Sequence, residues 1–395
     1  MVKQAPSRLR RFWGIKLILA IGSTLFALYL CEFLLSAWKY DSNRKAARAA
    51  GVEFDARSVR EVVQALRRDG EPAAPAMFPA VFLRESPLGL PFDQERILPL
   101  GGLPEIQTVY CNESGEYAIY MSDEHGFRNP KNLYHSGQIE ILLVGDSFAH
   151  GACVATGQDL AGHLRTLGFR TLNLGMSDNG PLLELASLRE YGTHIRPRHV
   201  FWFYYEGNDL GDLRRELGSD FLQKYLAPEF SQDLPEKQSQ VESALWKFLA
   251  AQESVAQKKS DMISTFDLPS WVRLPTLRSH LGLLSLSKRT EEAPLEELRT
   301  ILAIARDQAA SWGGTLHFVY LPEWTRFGAA FPPTRHRAEV LRIVEEVGLP
   351  FFDVQELFSA AEDPLHYFPF RRPNHYNRQG YQHIAIALSE TIQTP

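Results

Sequence analysis

The chain has 395 residues, 45% of them apolar and 11% aromatic, enough to build one large packed domain with appendages or two domains. Its formal net charge is −5 and it carries no basic stripe with interleaved aromatics, which argues against a nucleic-acid partner. No Cys or His spacing resembles a zinc site, so no metal is expected.

The amino terminus opens with a basic tail over 1–16, where Lys3, Arg8, Arg10, Arg11 and Lys16 meet no acid. Leu17 to Ala37 is almost wholly apolar, Glu32 being its one charge, and is long enough to cross a bilayer as a helix. No small-x-small cleavage site follows it, which favours an uncleaved anchor over a signal peptide. Lys39, Arg44, Lys45 and Arg48 come soon after the span, so the positive-inside bias is small; the favoured orientation leaves the amino terminus in the cytoplasm and the body outside. Cys31 lies in the span. In an extracytoplasmic body Cys111 and Cys153 could form a disulfide, with two unrelated buried thiols as the alternative.

Residues 38–137 read as a stalk and an irregular arm. Asp41 to about Gly70 is charged and alanine-rich with helical stretches such as Val59–Leu66, and Glu71 to Pro104 is proline-rich with little period. Gln107–Tyr110 and Glu116–Tyr120 are expected as short strands around the turn Asn112-Glu-Ser-Gly115, and Ser122–Arg128 as a loop into the core. From residue 138 to 395, strand and helix signals alternate, which predicts a parallel sheet covered on both faces. The strands are expected at Ile139–Val144, Arg170–Leu174, His199–Tyr204, Thr315–Tyr320 and Pro350–Val354. The helices are expected at Gln158–Leu167, Pro181–Tyr191, Leu295–Ala310, Arg335–Val347 and Arg378–Thr391. The interval of about 210–293 is polar and far longer than one crossover, so it reads as an insertion that shapes the substrate cleft.

Four short motifs fall at the ends of these elements. Gly145-Asp146-Ser147 follows the first strand, Asn173-Leu-Gly175 the second and Gly207-Asn208-Asp209 the third, and His375 opens the loop Asn374-His-Tyr-Asn-Arg-Gln-Gly380 before the last helix. Singly, each has a plain reading as a turn or a helix cap. Together and in this order they place a serine, a histidine and hydrogen-bond donors at the carboxyl edge of a sheet, where open α/β folds keep their chemistry. The serine lies in Gly-Asp-Ser-Phe-Ala-His, not Gly-x-Ser-x-Gly, which argues against the nucleophile elbow of the α/β-hydrolases. His150 is close in sequence but reads as part of the turn into the next helix.

The set resembles the SGNH (GDSL-type) hydrolases over roughly residues 138–395, interrupted by the insertion. The resemblance implies an α/β fold of the flavodoxin-like, three-layer α/β/α kind with a five-stranded parallel sheet, here with an N-terminal transmembrane helix. It implies Ser147 as nucleophile, His375 as base, and Ser147, Gly175 and Asn208 as oxyanion donors, with no cofactor. Asp146 is expected to bond neighbouring loop N–H groups and Asp209 to brace the loop that holds Asn208. The family usually carries an aspartate two or three residues before the histidine; Arg372 and Pro373 stand there. That leaves a Ser147–His375 dyad, or orientation of the ring by a backbone carbonyl or by a distant acid such as Asp363. Membrane-anchored members resemble proteins acting on acyl groups of cell-envelope or exported polysaccharide. The expected function is therefore a membrane-anchored, extracytoplasmic serine esterase or O-acyltransferase taking an acylated glycan or other ester. The alternatives are a catalytically silent glycan-binding or assembly protein, and a lipase-like enzyme with Trp246 and Trp271 in an apolar lid.

Overall fold

A computed structural model describes residues 8–40, 42–135, 138–261, 292–329 and 336–393. The chain divides into two compact units, one of residues 1–46 with 254–292 and the other of 47–253 with 293–395. In the first unit one helix runs from Arg8 to Tyr40. Leu17, Leu19, Ile21, Leu25 and Phe26 are exposed on it, and Glu32 is buried. The expected span 17–37 takes in Ile18 and positions 35–37, whose side chains lie outside those described. Among the described residues no helix is long and apolar enough to cross a membrane.

Among the described residues the second unit holds ten strands: β1 (Ala73–Pro75), β2 (Leu90–Phe92), β3 (Glu95–Ile97), β4 (Gln107–Val109), β5 (Ile119–Met121), β6 (Ile141–Gly145), β7 (Thr171–Asn173), β8 (His199–Tyr205), β9 (Thr315–Leu321) and β10 (Phe351–Asp353). The last five form one sheet in the order β10-β9-β8-β6-β7 with every pair parallel. Numbered among themselves these strands run 2-1-3-4-5, the flavodoxin-like order, whose switch point lies between β6 and β8. β6 is apolar throughout, and β8 and β9 carry apolar residues on both faces, because both faces are covered. Leu142 and Val144 enter one core with Val200, Trp202 and Tyr204; Ile141 and Leu143 enter the other with Phe201 and Phe203. Helices Pro181–Ser187, Leu295–Ser311 and Arg337–Val347 close the first core, and Leu160–Thr166 and Arg378–Gln393 the second. The expected helix over Pro181–Tyr191 is α-helical only to Ser187 and widens through Leu188–Gly192.

Two expectations about the flanking segments change. Helix Val59–Arg68, read as part of a stalk, belongs to the body. Ser58 caps it, accepting from the Glu61 N–H, while Glu61 accepts from the Ser58 N–H at 2.7 Å. Its Val62 and Val63 are buried against Ala73 and Val109 of a small sheet, β1-β4-β5. The insertion is also more core than rim. Leu213, Leu222, Tyr225, Val241, Leu245 and Leu249 join the main core, so its described part is held by apolar burial. Residues 262–291 of the insertion, including Trp271, lie outside the described residues.

Candidate active site

β6 ends at Gly145, whose φ is +158° and where an added Cβ would sit 2.8 Å from the Ala149 Cβ and 2.9 Å from the Phe203 Cβ. Only glycine lets the chain leave the sheet this closely and turn at once into the short helix Ser147–His150. Asp146 caps that helix, its Oδ1 accepting from the Phe148 N–H at 2.9 Å. The far end is clamped by the buried Arg128 guanidinium, which donates to the carbonyls of Gly151 and Val154, the latter at 2.8 Å. Ser147 is thereby fixed at the carboxyl edge, next to the switch point.

His375 Nε2 lies 2.8 Å from Ser147 Oγ. On the other side of the ring, Nδ1 lies 2.9 Å from Glu113 Oε1, and the His375 backbone N–H donates to Glu113 Oε2 at 2.9 Å. A carboxylate only accepts, so Nδ1 carries the proton and Nε2 is left to accept from the serine. The sequence offered Asp363 for this role. Asp363 instead pairs with Arg371, and the acid at the imidazole is Glu113, in the loop between β4 and β5. That loop is a real turn: the Gly115 N–H donates to Asn112 Oδ1 at 2.9 Å, and Asn112 Nδ2 donates to the Asp55 carbonyl at 3.0 Å. Nothing near His375 in sequence signals Glu113; only the packing of the small sheet brings it there.

Burial pushes the His375 pKa down, but attraction and hydrogen bonding from Glu113, with help from Asp146 and Asp178, outweigh it and leave it raised. Burial raises Asp146 to about 6 against the lowering effect of the Phe148 N–H. His150 is excluded as a base. Buried, 2.9 Å from the Tyr120 hydroxyl and stacked on Tyr110, it is pushed down to about 3 by burial and by the Arg128 charge.

The oxyanion residues are placed unevenly. Asn208 lines the cleft, its Nδ2 donating to Asp212 Oδ2 at 2.6 Å with one of its two hydrogens. Asp209 accepts from the Tyr205 N–H at 2.8 Å and braces that turn; burial raises its pKa strongly. Gly175 does not reach the cleft. Its N–H is given to Asn173 Oδ1 at 2.8 Å, and an added Cβ would stand 2.6 Å from both the Ala149 Cβ and the His150 nitrogen. It is a glycine because this chain packs on the serine helix. The cleft wall after β7 is Asp178, with φ +62°. No hydrogen bond from its backbone N–H forms among the described residues.

The cleft over Ser147 has a volume of about 390 Å³. Trp324 and Tyr205 line it together with Ser147, Glu323, Pro373 and Asn374, and among the described residues no lysine or arginine does. The loop carrying Trp324 is anchored by buried Glu206, which takes the Tyr320 hydroxyl at 2.6 Å, the Glu323 N–H at 2.9 Å and the Arg326 guanidinium. No described residue of the insertion lines this cleft, and Trp246, on helix Gln238–Asp261, is not among its lining residues.

Cys111 and Cys153 are joined by a disulfide. Among the described residues, the group of His, Cys and carboxylate atoms close enough to hold a metal, within 4.8 Å of one another, is Glu113, Cys153 and His375. Its sulfur is spent in the disulfide, and Glu113 and His375 hold each other, so it supplies no thiolate ligand.

No family model matches the sequence, and no curated protein matches it. Solved structures do. The lipase/acylhydrolase from Enterococcus faecalis is 14% identical over 65% of this chain and 96% of its own, with a TM-score of 0.37. A GDSL-like lipase from Bacteroides thetaiotaomicron is 11% identical over 64% and 87%, with a TM-score of 0.34. An acetylxylan esterase from Geobacillus stearothermophilus is 16% identical over 66% and 96%, with a TM-score of 0.35. The chain is thus similar to GDSL-type esterases and acylhydrolases. At these identities and TM-scores the likeness is distant, and the chemistry rests on the geometry of this chain.

Proposed function

We propose that the protein is a serine esterase or O-acyltransferase of the SGNH type that works through an acyl-serine. One observation carries the reading: Ser147 Oγ, the His375 ring and Glu113 are joined in line by contacts of 2.8 and 2.9 Å. Serine becomes nucleophilic only when a base takes its proton, and this chain of contacts supplies the base in the correct tautomer. His375 Nε2 accepts the Ser147 proton as Oγ attacks the ester carbonyl. Glu113 stabilises the imidazolium that forms. The oxyanion is held by the backbone N–H of Ser147, the amide of Asn208 and, in place of Gly175, the N–H of Asp178. As the tetrahedral intermediate collapses, His375 returns the proton to the departing alkoxide. Water then repeats the cycle for hydrolysis, or a hydroxyl does so for transfer.

The finer reading assigns an O-acyl, specifically O-acetyl, glycan as substrate and a single-pass anchor over residues 17–37 with the body outside the cytoplasm. The exposed apolar residues of the first helix and the basic residues before them support the anchor. The disulfide supports an oxidising compartment. The Trp324 and Tyr205 rings lining the cleft suit a sugar face, and a lining that, among the described residues, holds no lysine or arginine suits a neutral ester better than a phospholipid head group. The silent-relative alternative arose from the missing orienting acid, and Glu113 removes that motive. A fluorophosphonate probe is expected to label the wild type and not Ser147→Ala, with aryl acetate hydrolysis lost in the same variant. Equal labelling of the two proteins overturns the proposal.

A further inference from the structure

We infer that the Cys111–Cys153 disulfide is a positioning element of the active site, holding Glu113 on His375, so that turnover depends on its staying oxidised. The inference rests on the esterase reading above. Cys111 stands two residues before Glu113, and Cys153 stands six residues after Ser147, so the bridge joins the loop that supplies the acid to the segment that supplies the nucleophile. It does so at the site itself, because the Cys153 sulfur lies within 4.8 Å of the Glu113 and His375 ligand atoms.

The rest of the Glu113 loop is tied in the opposite direction. Asn112 reaches the Asp55 carbonyl, the Asp55 N–H reaches the Gly115 carbonyl at 2.8 Å, and the Ala118 N–H reaches the Cys111 carbonyl at 2.8 Å. These bonds fix the turn to the amino-terminal segment and to its own hairpin. Towards the serine segment, besides the disulfide, Tyr110 meets Ser177 and stacks on His150. Tyr120 and Ile119, on the second strand of the hairpin, meet His150 and Thr156. From the turn itself, Glu113 meets His375. Cys153 is the rigid end of the bridge, buried between the Gly151 and Val154 carbonyls that Arg128 holds.

A dithiol such as dithiothreitol opens the bridge in a balanced exchange. The reagent loses two electrons and two protons in closing to its cyclic disulfide, and Cys111 and Cys153 each leave as a thiol. The full-length protein is assayed with an aryl acetate before and after reduction, with thiol titration to confirm opening and circular dichroism to follow the fold. The expected result is a fall in kcat of roughly 10²-fold, as for a reacting group displaced by about an ångström, with KM little changed. In Glu113→Gln, reduction is expected to cost nothing further, because the acid it would release is already gone. The inference is overturned if reduction leaves wild-type kcat unchanged or lowers kcat equally in wild type and Glu113→Gln. Loss of the fold on reduction also overturns it, since the bridge would then serve general stability. Failure of the oxidised wild type to take the fluorophosphonate label is a separate outcome, which removes the esterase reading.

Discussion

Glu113 acts on a histidine 262 positions further along the chain, and two contacts let it do so. One oxygen takes the ring N–H and the other takes the backbone N–H, so both the tautomer and the tilt of the imidazole are set. Replacing the carboxylate by an amide keeps the shape but allows the ring to rest with Nδ1 unprotonated. Glu113→Gln is therefore expected to lower kcat by roughly 10²–10⁴-fold while KM changes little. The pH profile of kcat/KM supplies the second readout. His375 works as a base only when neutral, and its pKa is raised by Glu113, so the wild-type acid limb falls above the ordinary histidine value. Removing the carboxylate charge moves that limb to lower pH; a limb that stays in place shows that another group titrates. Ser147 and Asn208 were legible because each follows a strand at a known edge, and His375 because it stands in the loop before the last helix. Glu113 was not, because a lone glutamate in a surface turn carries no period and no spacing to its partner.

At the scale of elements, the alternation of β6 and β8 between two apolar cores explains why the strands could be read from continuous apolar runs. It also shows what such runs conceal. Gly175 has the sequence signature of a donor at a strand end, yet it is consumed in packing β7 onto the serine helix. Gly175→Ala is thus expected to act as an overpacking change, costing about 1–3 kcal/mol of stability. In a domain of this size that corresponds to a melting temperature lower by roughly 2–4 °C for each kcal/mol. Calorimetry checks it: an unchanged melting temperature with a lost kcat returns Gly175 to the oxyanion site. The insertion was misjudged for a related reason. Its mean polarity hid a helical face, including Val241, Leu245 and Leu249, that enters the main core.

For the molecule as a whole, the body needs no help from residues 1–46 to assemble its two cores or its triad, since all three lie within the second unit. Deleting residues 1–40 is expected to move the protein from the membrane fraction to the soluble fraction of the compartment in which it is made, with esterase activity per labelled serine retained. Full-length protein recovered in the soluble fraction without detergent defeats the anchor. Residues 47–137, by contrast, belong to that body. They hold the small sheet, and the small sheet holds Glu113.

The acid stands at position 113, the nucleophile at 147 and the base at 375. A nascent chain consequently carries its nucleophile in an inert state until position 375 has been made, because the base that awakens it is not yet present. A fragment of residues 138–395 would lack Glu113 together with Phe82, Leu98, Leu100 and Phe127 of the main core. Competence to cleave is acquired only when segments 228 positions apart have folded back on each other.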